Sequence, residues 1–120
     1  MNRIIEIDRF INRNLAKSRY IHSISVSNTA LILNSKFALR LSEYNIIAAG
    51  LAHDLGKILK PAALNRYLQT HSVELDAYEK RNHKLWHSPA SAALLRERFG
   101  EFDAAVINAV RYHTIGGVEI

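Results

Sequence analysis

The sequence places an adjacent histidine and aspartate, His53-Asp54, at the end of an apolar run that covers residues 46–52. Burying an ionised carboxylate without a partner is costly, and a divalent metal ion removes that cost because it binds both imidazole nitrogen and carboxylate oxygen. Three more histidines stand at well-separated positions: His22, His87 and His113. These residue types predict one metal-ligand cluster drawn from four segments of the chain.

The spacing of these residues leaves another explanation open. A single histidine on an apolar helix, such as His22 or His113, is more often a hydrogen-bonded core residue than a ligand. His53 and Asp54 are neighbours, so both can face one point only if the end of their helix bends.

The elements that must position these residues are almost all helices. Apolar residues recur at helical spacing over residues 3–14, and a second helix is predicted from Ser18 or a neighbour to about Phe37. Ser42 is a typical N-cap for a third helix, which runs to His53. The interior of this third helix is nearly all apolar, which places it at the centre of the fold.

The second half of the chain also has helical features and no strand-like alternation. Gly56 ends the third helix, and residues 61–86 are predicted to form two short helices and loops. Two further helices have boundaries at Ser88-Pro89 and Gly100, and at Asp103 and about His113. We predict an all-α helical bundle that forms a single domain over residues 1–120.

Composition limits the functions that the chain can have. It contains no cysteine, which excludes disulfides, thiolate metal sites and cysteine nucleophiles and fits the reducing cytoplasm. We expect no signal peptide and no membrane-spanning segment. The net charge of +5 favours an anionic partner. A phosphorylated small molecule fits that charge better than nucleic acid, because no helix carries a basic stripe.

Four blocks of sequence surround the proposed ligands: RYIH at 19–22, AGLAHDLGK at 49–57, LWHSPASA at 85–92 and AVRYHTIG at 109–116. In order and spacing they resemble the HD-domain superfamily of metal-dependent phosphohydrolases, and within it the YqeK-type symmetrical diadenosine tetraphosphate hydrolases. The resemblance covers residues 19–117. It implies an HD-domain bundle with a di-iron centre, a nucleotide substrate and symmetrical cleavage to two ADP.

The resemblance also implies how the ligands are used. Asp54 has two carboxylate oxygens and would bridge two metal ions. His22 and His53 would complete the protein ligands of the first ion, and His87 and His113 those of the second. Iron, manganese or zinc suit such ligands, and the attacking group would be a metal-bound hydroxide.

Four residues are candidates for contact with the substrate. Lys57 follows His53 by one helical turn if the helix continues, and is either a phosphate contact or a solvated lysine at a helix end. The resemblance implies a phosphate-binding role for Arg19. Arg111 is a weaker candidate, and Thr114 is expected at the entrance of the pocket.

The remaining histidines have simpler explanations. His83 precedes His87 by four residues, a spacing that can chelate a metal on one helix. We prefer His87, because it alone matches the LxHxPxxA block of the resembled family. His71 and His83 lie in a polar stretch and are interpreted as surface residues. Trp86 is interpreted as a packing residue, with stacking on a purine as the alternative.

One ligand of the family pattern is missing. HD-type sites usually include a further Asp in the helix after the last histidine, whereas this sequence ends at Ile120. Relative to the family, the domain therefore looks shortened at its C-terminus. We expect weaker binding of the first ion, little chance that Glu119 replaces the Asp, and exposed apolar surface that favours a homodimer.

Three alternatives to the preferred function remain open. The chain could be an HD phosphohydrolase for another nucleotide. It could be a degenerate HD domain that binds a nucleotide or a protein without turnover, which the missing Asp favours. A basic helical nucleic-acid binder is the weakest alternative.

Overall fold

The computed structural model describes residues 2–113, which fold into seven α-helices and two 3₁₀ turns. The α-helices are α1 (Arg3–Asn14), α2 (Lys17–Lys36), α3 (Glu43–Ala52), α4 (Pro61–Thr70), α5 (Ala77–Arg81), α6 (His87–Phe99) and α7 (Ala104–Arg111). The 3₁₀ turns are Leu55–Ile58 and His83–Leu85. Within this described range no strand occurs, so the predicted all-α fold is confirmed.

Local sequence signals account for most of the helix ends. The Ser42 side chain accepts a hydrogen bond from the Asn45 backbone N–H, and Asp103 caps α7 in the same way. Gly100 ends α6 with a φ of +86°, a conformation that side chains disfavour. Helix α2 begins at Lys17, next to Ser18, but Ser18 is not its cap: the cap is Ala16, whose side chain has no hydrogen-bonding group.

Helix α3 lies at the centre of the fold, as predicted. It packs against α1, α2, α6 and α7, and Leu51 and Ala52 are buried in the main core. The neighbouring helices contribute the other large side chains of this core, among them Ile7, Ile11, Leu95, Val106 and Val110. The end of α3, where His53-Asp54 stands, is therefore surrounded by the ends of several other helices.

The packing of α2 against α3 depends on small residues. A Cβ atom at Gly50 would lie 2.8 Å from the Cα atom of Ser27, which is closer than real Cβ atoms approach. The Ser27 hydroxyl donates a hydrogen bond to the Ile47 carbonyl oxygen at 3.2 Å. This close approach brings the beginning of α2, which carries Arg19 and His22, next to the end of α3.

The outer face of α2 and the segment after it expose large apolar side chains: Ile32, Leu33, Phe37, Leu39 and Leu41. Among the described helices, none combines the length and apolar character that crossing a bilayer requires.

Candidate metal centre

The helix bends at the pair that the sequence singled out. His53 still has helical backbone angles, but Asp54 departs from them with φ −111° and ψ 20°. The 3₁₀ turn Leu55–Ile58 follows at once. This break lets two consecutive side chains face the same point, which a regular helix would prevent because neighbours diverge by about 100° around its axis.

Asp54 is the centre of the site. Its side chain is 4% exposed, and each of its two carboxylate oxygens faces a different set of neighbours. Oδ2 lies 3.4 Å from His53 Nε2. Oδ1 lies 3.5 Å from His87 Nε2 and 3.6 Å from His113 Nε2. The carboxylate therefore stands between two sets of imidazoles.

Two groups of side chains could each hold a metal ion. One group is His22, His53 and Asp54, and the other is Asp54, His87 and His113. In each group the ligand atoms lie within 4.8 Å of one another. The structure thus brings together the five residues predicted from the sequence, divided between the two groups as the resemblance implies; their role as metal ligands stays a prediction.

Backbone carbonyl groups fix the orientation of three imidazole rings. The Nδ1 atom of His53 lies 2.7 Å from the Gly50 carbonyl oxygen, and those of His87 and His113 make the same contact, each with the carbonyl three residues earlier. A carbonyl oxygen can only accept, so each Nδ1 carries a proton, and in the neutral ring Nε2 is then the nitrogen with the free lone pair. Histidine ligands of metal ions are commonly held in this way.

The contact between His87 and His113 also fits a cation. Their Nε2 atoms lie 3.3 Å apart, and when both rings are neutral, with the proton on Nδ1, neither Nε2 has a hydrogen to share. Two facing lone pairs repel, and a positive ion bound by both removes that repulsion. The donor set therefore fits a divalent ion that prefers nitrogen and oxygen ligands.

The pKa values of the cluster favour metal binding at neutral pH. Burial lowers the pKa of His53 and of His87, and the charge of Lys57 lowers the pKa of His87 further. Burial alone would raise the pKa of Asp54, but a hydrogen bond from His113 and the charges that His53, His87 and His113 carry when protonated outweigh burial and hold that pKa well below its usual range. A metal ion would take the place of those protons, because it requires an ionised carboxylate and imidazoles with a free lone pair.

Arg19 and Lys57 lie at the edge of the cluster. The Arg19 guanidinium contacts Asp54 Oδ2 at 3.2 Å, and the Arg19 side chain is 41% exposed, so part of it faces solvent. Lys57 is exposed near His87. The helix does not continue from His53 to Lys57, because α3 ends at Ala52 and Lys57 belongs to the 3₁₀ turn. Its role as a phosphate contact stays a prediction.

Arg111 has a different environment from the one expected. Its guanidinium donates to both carboxylate oxygens of Glu79, at 2.6 and 2.8 Å, and to the Glu74 carbonyl oxygen at 3.1 Å. The Glu79 side chain is fully buried. The guanidinium is thus held in an ion pair with a buried carboxylate, and the substrate contact of Arg111 stays a prediction. Sequence reasoning missed Glu79, although the spacing Asp76-x-x-Glu79 signals the capping box that it forms.

The other singled-out residues lie around the site. The Trp86 indole N–H donates to the Glu79 carbonyl oxygen at 2.7 Å, which agrees with a packing role. His71 stacks on Tyr67 at the surface, and His83 is exposed. Thr114 and Glu119 lie outside the described residues.

Comparisons with known proteins agree with this geometry. The HD domain family model matches residues 19–119. A Bacillus subtilis (strain 168) protein named bis(5'-nucleosyl)-tetraphosphatase, symmetrical, is 29% identical over 106 residues, which are 88% of this chain and 55% of that protein. A Staphylococcus aureus protein of the same name is 28% identical over 90% of this chain and 54% of its own length.

A solved structure has the same fold. It is described as a predicted HD superfamily hydrolase involved in NAD metabolism from Clostridium acetobutylicum, and it superposes with a TM-score of 0.82 at 31% identity. The match covers 92% of this chain and 58% of that one. This chain thus spans a little over half the length of the relatives that it matches. On the family match and the arrangement of residues around Asp54, the chain belongs to the HD-domain family.

Proposed function

We propose that this chain is a metal-dependent phosphohydrolase that cleaves a nucleotide phosphoanhydride, and that its substrate is diadenosine tetraphosphate, split symmetrically into two ADP. The observation that carries the proposal is the buried carboxylate of Asp54 between two groups of imidazoles. The choice of substrate follows the names of the relatives, since the cationic groups at the site select phosphate and not a particular base.

The donor set suits two divalent ions, one held by His22, His53 and Asp54 and the other by Asp54, His87 and His113. Iron is the proposed metal, and manganese and zinc accept the same ligands. When bound, such ions neutralise phosphate oxygens and lower the pKa of water so that it can attack phosphorus near neutral pH.

The protein's own groups orient the substrate and compensate its charge. In the reaction, a water oxygen bonds to phosphorus while the phosphoanhydride P–O bond breaks, one ADP leaves and the protons of water pass to solvent. Arg19 has a partly exposed guanidinium beside Asp54 and can donate to a phosphate oxygen. Lys57 offers an exposed ammonium group near His87. Both groups are available to neutralise the charge that builds on the departing phosphate.

The test is to load purified protein with iron or manganese and to assay diadenosine tetraphosphate, other dinucleoside polyphosphates and mononucleotides by chromatography of the products. Asp54→Asn should abolish turnover and lower the metal content. The control is Asp8→Asn, because Asp8 is a partly buried carboxylate that accepts a hydrogen bond from Tyr20 and belongs to neither donor group. Full metal content and full activity in Asp54→Asn would overturn the proposal.

A second function, nucleotide binding without turnover, is the alternative that the same geometry allows. Each of the two donor groups has three protein ligands among the described residues, which leaves positions for phosphate oxygens whether or not hydrolysis follows. The same assay separates the two functions. Tight binding of ADP by metal-loaded protein, with no product from any nucleotide tested, would identify a binding domain.

The proposed homodimer rests on the exposed apolar side chains at the end of α2, among them Ile32, Phe37 and Leu41. Sedimentation velocity tests it, with Ile32→Lys and Phe37→Lys introduced together. A wild-type chain that stays monomeric at high protein concentration would contradict the homodimer.

A further inference from the structure

A cavity of about 530 Å³ opens directly beside the metal centre. Its lining includes His87, one of the candidate ligands, and Lys57, the candidate phosphate contact. A ligand whose phosphates lie at the cluster could therefore extend its other end into this cavity, which we call the His87 cavity. Its volume is in the range of small-molecule sites.

The walls of the His87 cavity are apolar and include an aromatic ring. Leu59, Pro61, Leu64 and Trp86 line them. The only polar atom of the Trp86 indole is already bonded to the Glu79 carbonyl oxygen. That bond fixes the ring and leaves its apolar surface for contact with a flat ligand.

The rim of the His87 cavity is cationic. Lys57 and Lys84, both exposed, lie there beside His83, and no Asp or Glu is among the lining residues that the structure describes. Three other cavities in the described part of the chain each include a carboxylate residue, either Glu74 or Asp8. The His87 cavity therefore differs from them in matching a ligand that is flat and apolar at one end and anionic at the other.

We propose that the His87 cavity binds the nucleoside part of the substrate, with the base against Trp86 and with Lys84 near the phosphates. The proposal rests on the proposed function, because it assumes that the ligand of the metal centre is a nucleotide. It adds a site for the nucleoside and a role for Lys84 at its rim. It also gives His83 a place beside the ligand.

The experiment uses the single tryptophan of the chain as its reporter. Metal-loaded protein is titrated with ADP, adenosine and inorganic pyrophosphate while the fluorescence of Trp86 is recorded. Free N-acetyltryptophanamide is titrated in parallel to correct for absorption and collisional quenching. We expect saturable quenching by ADP and adenosine and none by pyrophosphate, because only the first two carry a base that can stack on the indole.

Two charge reversals test the rim. Lys84→Glu should weaken ADP binding about tenfold or more, since it places a carboxylate near the phosphates. Lys36→Glu is the matched control, because Lys36 is also an exposed lysine but lines neither the His87 cavity nor the three other cavities. We expect it to leave the dissociation constant for ADP unchanged within about twofold.

The outcomes separate this proposal from the proposed function. Turnover of nucleotides without saturable quenching, or equal quenching by pyrophosphate, would overturn the nucleoside site and leave the phosphohydrolase standing. An unchanged affinity for ADP in Lys84→Glu would overturn the role of the rim. Saturable quenching by ADP and adenosine in a protein with no hydrolase activity would support the nucleoside site and reject the proposed function.

Discussion

Replacing Arg111 with methionine would leave the buried carboxylate of Glu79 without its charged partner. The guanidinium now donates to both oxygens of this carboxylate. The Glu79 side chain is 0% exposed and that of Arg111 is 17% exposed. Water therefore cannot take the place of the missing guanidinium without rearrangement of α5 or α7. Methionine keeps much of the volume of the arginine stem, so loss of the charge is the main change.

Breaking one side of a buried ion pair costs about 3–5 kcal/mol. The lower end applies here, because Glu79 keeps the hydrogen bond from the Asp76 backbone N–H and Arg111 is partly exposed. A loss of about 3 kcal/mol is a large share of the roughly 5–15 kcal/mol that stabilises a domain. It corresponds to a melting temperature lower by roughly 10 °C for a chain of this size.

The assay is urea unfolding of the metal-free protein, followed by circular dichroism. The matched control is Arg96→Met, because Arg96 pairs with Glu101 at 3.2 Å on the surface, where the two side chains are 55% and 76% exposed. We expect a change below about 1 kcal/mol for this control. Adding Glu79→Gln to Arg111→Met should restore about 1 kcal/mol, since a neutral amide is less costly to bury than an unpaired carboxylate.

The same substitution should also affect the cluster. Arg111 stands at the end of α7, two residues before His113, and the ion pair fixes this end against α5. We expect Arg111→Met to lose metal from the group that contains His113 at a temperature where the protein is still folded. Stability equal to that of Arg96→Met, together with unchanged metal content, would refute the reasoning.

Three further predictions concern α3 and the cluster. Gly50→Ala should lower the free energy of unfolding by about 1–3 kcal/mol, although alanine favours helices, because its Cβ atom would meet the backbone of Ser27; thermal unfolding measures this, and an unchanged or raised melting temperature would contradict it. Arg19→Ala and Lys57→Ala should each lower kcat/KM about tenfold or more with metal content near that of wild type. Unchanged kinetics in both variants would show that the two residues are solvated surface residues without a role in substrate binding. Metal content after dialysis should stay constant down to about pH 6.5 and fall in more acid solution. The reason is that burial holds the pKa of His87 below its ordinary value, and protons displace the metal only when the pH falls below that lowered pKa. Loss of metal between pH 8 and 7 would show that the imidazoles are not the ligands.

The features that could be predicted from the sequence are those set by neighbouring residues. Ser42 and Asp103 cap helices through hydrogen bonds to backbone groups two or three residues away, and Gly100 ends α6 through its own backbone angles. The central position of α3 could be predicted as well, because its interior residues are nearly all apolar and those of the other helices are not. The five cluster residues were identified from a pattern of motifs, and the fold brings them together.

The features that escaped prediction depend on contacts between distant parts of the chain. Glu79 and Arg111 are 32 residues apart, and nothing near Arg111 in the sequence indicates that its charge is already paired. The place of Lys57 depends on whether α3 continues past His53. It does not continue, because the 3₁₀ turn packs Gly56 against the His87 backbone. Helical periodicity contains no information on such contacts.

The distribution of the cluster residues along the chain has a consequence for folding. They come from the beginning of α2, the end of α3, the start of α6 and the residues just after α7. Successive members are therefore separated by roughly thirty residues, and closing each of these loops costs conformational entropy. Ions held by both donor groups would act as cross-links in a chain that has no cysteine. On the chain-entropy model, each closed loop of this length is worth about 3–4 kcal/mol. A chelator would then do more than remove the ions, because it would release four segments at once and open the domain to proteases.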